Sequence, residues 1–388
     1  MKRCISLVAF LLATVLLISA CGAGHPPKET EPEEINPETT TPEQTTPEQT
    51  TPEATTPEET TPEATTPEET TTEEKPPQLE PACKHVFTSR IVLEQVTTKA
   101  DGKIANVCGN CGGWQEEILP AVKSIKILAI GNSFSDNALQ YLPALAKELG
   151  IEEIIVGKLY VGGCTVDGHW SRAQSGANYE RFDLNLGNGW ASQSTKTLKY
   201  ALTLYDWDII TMQQGSPQSG LPSSLNNLQN LVDYVNANKT NPNAKLYWHM
   251  TWAYSQFTTH SGFANYNKDQ MTMYNAIADL SKNHIMASGS FAGIIPAGTT
   301  VQNYRGNDAD SEFIEKEYIT TDGYHLQSYT RLATSLVWLR TLTGLSLDDI
   351  TCTSQQDIAF AKTNLKALKI AAENAYLHPY EVIPVYGD

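Results

Sequence analysis

The stretch Ile127-Leu128-Ala129-Ile130-Gly131-Asn132-Ser133-Phe134-Ser135 decides the fold. Residues 126–130 form a short, almost wholly apolar run that breaks at a glycine. It is too brief for a helix, and it lacks the alternation of a half-exposed strand. Both traits fit a strand buried on its two faces. Gly131-Asn132 then turns the chain and leaves Ser133 just beyond the strand end. Further strands are expected at 153–161, 208–212, 245–251 and 284–287. Helical spacing of apolar residues predicts helices at 139–149, 195–205, 225–237, 270–282, 326–343 and 357–376. This alternation predicts an α/β fold with a mostly parallel central sheet between two helical layers. Ligands of such sheets bind outside the carboxyl ends of the strands. Ser133, Gly162-Gly163, Gln213-Gln214 and Trp252 all follow strand ends, so they are expected on one rim.

The chain to the N-terminal side is different material. Lys2 and Arg3 precede an apolar run from Leu7 to Ile18, the pattern of a secretion signal over residues 1–20. Leu17-Ile18-Ser19-Ala20-Cys21 resembles the bacterial lipoprotein signal. That resemblance implies lipidation of Cys21, a membrane held by the acyl chains, and display at the bacterial cell surface. Residues 21–82 follow, repeating Thr-Thr-Pro-Glu-X from Thr40, with too little apolar surface to offset ordering entropy. They read as an extended acidic stalk. Residues 22–82 hold 16 Glu and 2 Lys, a net −14 of the chain's −17; with Lys2 and Arg3 positive, residues 83–388 carry −5. Acidity therefore belongs mostly to the stalk, and nothing in the charge pattern points to nucleic acid.

Residues 83–115 form a small cysteine-containing knob. Cys83-Lys84-His85 is followed by an alternating segment and by Cys108-Gly109-Asn110-Cys111-Gly112-Gly113. Three thiols and one imidazole suit a structural zinc, and four protein ligands leave no open catalytic position. A Cys108–Cys111 disulfide is the alternative in an exported protein. The combination resembles small CxH…CxxCG modules of secreted bacterial proteins. Residues 120–388 are long enough for one large domain. The pairing state of Cys164 and Cys352 stays open.

The distant segment Thr321-Asp322-Gly323-Tyr324-His325 supplies an aspartate and a histidine three residues apart. With Ser133 they are the parts of a serine hydrolase. Each also has a plainer reading: Ser133 as a helix cap, Asp322 as a turn residue, His325 as a packed side chain. From residues 126 to 344 the chain resembles the SGNH/GDSL-type hydrolase superfamily, and most closely a bacterial branch known as a domain of unknown function. The resemblance rests on four blocks in order: Gly131-Asn132-Ser133-Phe134-Ser135, Gly162-Gly163-Cys164, Trp207-Asp208 through Gln213-Gln214-Gly215-Ser216, and Asp322-Gly323-Tyr324-His325. It implies a flavodoxin-like three-layer fold and ester hydrolysis without a cofactor. It also implies Ser133 as nucleophile, His325 as its base and Asp322 as the acid that orients the imidazole.

The resemblance further implies an oxyanion hole from the backbone N–H groups of Ser133 and Gly163. The family's third donor is an asparagine in a Gly-x-Asn-Asp block, which this chain lacks. Gln214 is expected in its place, with Gln213 as fallback, since strand alternation sends the two side chains to opposite sides. His169, Trp170 and Trp252 are candidate contacts for a substrate. Together these readings favour an O-acyl, particularly O-acetyl, ester of a carbohydrate. The competing class is a non-catalytic glycan-binding protein on a degenerate hydrolase fold.

Overall fold

The computed structural model describes residue 79 and residues 82–306, 311–353, 355 and 364–385. The signal segment 1–20, Cys21 and nearly all of the stalk lie outside the described residues.

Among the described residues, the chain begins with a three-stranded antiparallel sheet of β1 (Phe87–Glu94), β2 (Gly102–Cys108) and β3 (Trp114–Leu119). It extends beyond residue 115, because Val107 pairs with Trp114 and Gly102 with Leu119. The run at 126–130 lies within β4 (Ser124–Gly131). A seven-stranded sheet is built around it from β5 (Glu153–Tyr160), β6 (Arg181–Asn185), β7 (Trp190–Ser192), β8 (Ile209–Met212), β9 (Lys245–His249) and β10 (Gly293–Ile295). The order is β10-β9-β8-β4-β5-β6-β7. The pairs from β10 through β5 are parallel, and β6 and β7 add an antiparallel edge. Ile127 through Ile130 are buried, as a strand covered on both faces requires.

Two groups of helices flank the sheet. In one, α3 (Val166–Ser175), α4 (Leu198–Leu204) and α5 (Leu228–Asn238) pack on each other. In the other, α8 (Ser328–Thr343) is central. Against it lie α1 (Ser133–Ala138), α2 (Leu142–Glu148), α7 (Ala297–Arg305) and α9 (Leu365–Leu377), with α6 (Gln270–Asp279) against α7. The fold is thus the expected mixed α/β architecture with a mostly parallel central sheet.

Three local expectations need correction. Residues 284–287 are not a strand: Leu280 and Ile285 are buried on a widened continuation of α6, and the edge strand is the shorter Gly293–Ile295. The expected helix at 139–149 is the shorter α2, Leu142–Glu148, and the unexpected helix α1 precedes it, beginning at Ser133 itself. The β6–β7 hairpin escapes the sequence expectations, because β6 carries Arg181 and Asp183 where a buried strand should be apolar and β7 is only three residues long. Those charges have partners. Lys158 Nζ on β5 lies 2.5 Å from Asp136 and 3.9 Å from Asp183, and 3.8 Å above the Trp190 ring. Arg181 pairs with both aspartates. Burial pushes the Asp136 carboxyl up, but Lys158 and Arg181 outweigh it and hold the group below the usual carboxylate range. This cluster fastens α1, and with it Ser133, to the sheet.

Candidate active site

Register brings the candidate segments together. Ile130 lies beside Leu159 on one side and Met212 on the other. The turns that follow β4, β5 and β8 therefore leave the sheet side by side. Asn132, not Ser133, caps α1: its Oδ1 accepts from the Phe134 N–H at 2.9 Å. Ser133 is the first helical residue, and its hydroxyl is partly exposed. Gly131 is required for space, since a Cβ there would sit 2.2 Å from Ser135 Oγ.

The second segment is a tight loop entering α8. Asp322 Oδ1 accepts from the backbone N–H groups of Tyr324, at 3.1 Å, and His325, at 2.8 Å. The Thr321 N–H donates to the His325 carbonyl at 2.7 Å, and Thr320 bridges to Leu326. Gly323 has φ +91°, and a Cβ there would meet Thr258 at 2.7 Å, so glycine is needed on both counts. The Leu326 N–H donates to Asn137 Oδ1 at 2.8 Å, which ties the loop to α1 itself.

Across 192 residues of sequence, His325 Nε2 comes within 2.9 Å of Ser133 Oγ. His325 Nδ1 lies 2.7 Å from Asp322 Oδ2. With Nδ1–H directed to the carboxylate, Nε2 is the unprotonated nitrogen facing the serine. Partial burial pushes the Asp322 carboxyl up. The His325 N–H, the His325 ring and the Tyr324 N–H together outweigh it and hold the group below the usual carboxylate range. Chemically the row is a hydroxyl, a base able to take its proton, and an anion able to steady the resulting imidazolium. Among the described residues, neither the Ser133 nor the Gly163 N–H donates to a protein group, whereas the Gly162 N–H is taken by Glu180.

The glutamines do not stand where the sequence reading put them. Gln214 Nε2 donates to both Ser224 O and Ser224 Oγ at 2.9 Å, while its Oε1 accepts from the Val166 and Gly215 N–H groups. It is buried and fully engaged in fixing the loop after Gly163. This corrects the expectation of Gln214 as the third oxyanion donor. Gln213 does point the other way, but it is 1 % exposed and acts beneath the site. Its Nε2 donates to Asn132 Oδ1 at 2.7 Å, and its Oε1 accepts from Ser135 Oγ and from His249 Nδ1. Asn132 in turn donates to Cys164 O at 3.1 Å. Gln213 therefore links the cap of α1 to the turn that carries Gly163, rather than presenting a proton to a substrate.

The aromatic candidates are also corrected. Trp252 is 0 % exposed, stacked on Phe134 at 4.1 Å, with Nε1 donating to Tyr324 O. His169 is buried against Tyr179, and burial pushes its imidazole down to about 3. Trp170 is half-buried, edge-on to Tyr234 of α5. Arg305 is buried in a two-point pair with Glu315. Asn303 holds the C-terminal segment through Ile383. The part-exposed rings beside the base are Tyr324, 4.4 Å from the His325 ring, and His260, 5.0 Å from Tyr324. Tyr324 could have been flagged from its place within Asp-Gly-Tyr-His; His260 carries no local signal. A cavity of about 320 Å³ lies elsewhere, between the small sheet and the β9–β10 edge, lined by Arg90, Glu117, Tyr247 and Tyr376. Its lining contains no histidine and so no hydroxyl–imidazole–carboxylate row like that of Ser133, His325 and Asp322.

The small sheet brings its four candidate ligands together: one ligand atom from each of Cys83, His85, Cys108 and Cys111 lies within 4.8 Å of the others. Cys164 and Cys352 are both buried.

Residues 126–376 match the family described as "Domain of unknown function (DUF4886)". The chain is also similar to a DUF4886 family protein of Bacteroides uniformis ATCC 8492, whose crystal structure was determined at 1.50 Å resolution. The identity is 33 %, the match covers 67 % of this chain and 97 % of that one, and the TM-score is 0.60. No curated protein matches the chain. The chain belongs to the DUF4886 family.

Proposed function

We propose that this DUF4886-family protein is a serine esterase of the SGNH/GDSL type that hydrolyses a short O-acyl ester through an acyl-enzyme. The observation that carries the reading is the unbroken row Ser133 Oγ, His325 and Asp322, with contacts of 2.9 and 2.7 Å. Ser133 attacks the ester carbonyl as His325 Nε2 takes its proton. The carbonyl oxygen gains negative charge and rests against the Ser133 and Gly163 N–H groups. His325 then protonates the departing alcohol, and water, activated by the same histidine, releases the acid. These steps draw on protein groups alone.

Two features favour a short acyl group on a carbohydrate. Phe134 and Trp252 fill the space beneath the serine with stacked, buried rings, so they do not line a channel for a long chain. Tyr324 and His260 offer part-exposed ring faces beside His325, suited to packing on a sugar. The lipoprotein-like start of the chain fits an enzyme held at the bacterial cell surface, where O-acetylated glycans are encountered. The catalytic reading is favoured over a binding-only role because a glycan-binding surface has no need of a serine, an imidazole and a carboxylate in line.

The test is hydrolysis of p-nitrophenyl acetate by the purified protein. Ser133→Ala and His325→Ala are each expected to lower kcat/KM by about 10³-fold or more. A fluorophosphonate should label Ser133 in the parent and nothing in Ser133→Ala. Equal turnover in parent and both variants would sink the proposal. Acetate release from a panel of acetylated polysaccharides then tests the substrate class.

A further inference from the structure

We propose that Cys83, His85, Cys108 and Cys111 hold one zinc ion that closes the open end of the small sheet. The site is independent of the esterase reading. Cys83 and His85 lie just before β1, Cys108 ends β2, and Cys111 sits in the turn to β3. Two stretches more than 20 residues apart in sequence thus converge. Cys83 Sγ is 3.9 Å from Cys108 Sγ, and Cys111 Sγ is 3.7 Å from His85 Nδ1. A tetrahedron with zinc–sulfur bonds of about 2.3 Å has edges of roughly 3.8 Å. A disulfide would need its sulfurs at about 2.05 Å.

The surrounding backbone is built for the same purpose. The Gly112 N–H donates to Cys108 O at 2.9 Å, and the Cys108 N–H donates to Gly113 O at 2.8 Å, which folds the Cys-Gly-Asn-Cys turn back on itself. Gly112 has φ +70°, which the turn demands and glycine supplies. The Asn110 N–H points at Cys108 Sγ from 3.4 Å, a contact that stabilises a thiolate ligand. Asn110 Nδ2 donates to Lys84 O at 2.7 Å and so locks the two ligand stretches to each other. Three soft sulfurs and an imidazole select zinc over magnesium or calcium. With four protein ligands the centre is closed, and its role is structural.

The sheet needs such a fastening. Only β2 contributes buried residues; every residue of β1 and β3 is at least partly exposed. With so little burial of its own, the sheet gains from a metal centre, which contributes free energy of folding.

The experiment is metal analysis of the full-length protein, purified without chelator or added metal. One zinc per chain is expected. Cys108→Ser and Cys111→Ser should each lose most of it, and Co²⁺ added to metal-stripped protein should give the intense visible bands of a tetrahedral thiolate site. Stripping should also speed amide exchange in residues 87–119 by about tenfold or more, while residues 124–131 stay protected. Parent protein without zinc, a mass two hydrogens short from a Cys108–Cys111 disulfide, or zinc content unchanged in both variants would overturn the proposal.

Discussion

The acting edge of the site and the layer beneath it obey different rules. Asp322 is exposed, Ser133 and His325 are partly exposed, and all three belong to short loops or a helix start. Asn132, Gln213, Gln214, His249 and Trp252 lie directly below and are all nearly inaccessible. The edge is specified by chemistry: a hydroxyl, a base and an acid have few substitutes. The lower layer is specified by satisfaction of buried polar groups, where an amide serves for its two-ended hydrogen bonding. A glutamine beside a nucleophile can belong to either layer, and its partners, not its type, decide which.

The largest expected effect breaks the edge. Asp322→Asn keeps the shape of the loop but cannot hold the imidazole in the required tautomer or steady its charge. A fall in kcat of roughly 10²–10⁴-fold is expected, with KM little changed. A loss under threefold in steady-state kinetics would show that water does the work assigned to Asp322, which is 41 % exposed at its side chain.

The glutamine pair sharpens the comparison. Gln213→Ala unties Asn132 from its place between α1 and the Gly163 turn. It should lower kcat about tenfold and leave Ser135 and His249 short of a partner. Gln214→Ala removes the acceptor of the Val166 and Gly215 N–H groups and the donor to Ser224 O, and should cost about 1–3 kcal/mol of stability, with a smaller effect on kcat. Urea unfolding and ester kinetics on both variants separate the roles. If Gln214→Ala instead cost about 10²-fold or more in kcat at unchanged stability, it would be an oxyanion donor after all.

The buried histidines of the lower layer make stability depend on pH. Burial pushes His249 and His169 down to about 3. Above an ordinary histidine value of about 6.5 both are neutral, folded or unfolded, and cost nothing. As pH falls from there toward 3, the unfolded chain takes up protons that the folded protein refuses, so stability declines. Each histidine contributes up to about 1.4 kcal/mol per pH unit in that window. Urea midpoints at pH 7.5, 6.0 and 5.0 should fall accordingly, and His249→Gln should roughly halve the slope. A pH-independent midpoint would contradict the buried neutral state.

The architecture was legible because short, fully apolar strands alternating with amphipathic helices have few other ways to bury themselves. The candidate triad was legible because Gly-Asn-Ser at a strand end and Asp-Gly-Tyr-His before a helix each make sense locally. What misled was the lower layer. Trp252 and His169 follow a strand or lie on a loop-proximal helix, which marks them as near the rim without saying whether they face out. The β6–β7 edge was missed because its charges are satisfied by Lys158 from β5 and Asp136 from α1, partners that no local pattern shows.

By itself, the sequence determined the strand-turn-serine start, the Asp-to-His spacing, the four candidate sulfur and nitrogen ligands and the acidic repeat. Each depends on neighbours within a few residues, or on composition. Only the tertiary structure decided that Asn132 caps α1, that Gln213 ties that cap to the Gly163 turn, and that Ser224 claims Gln214. Those outcomes depend on which polar groups meet once the strands are in register, and every buried donor then has to be shared among the acceptors it finds.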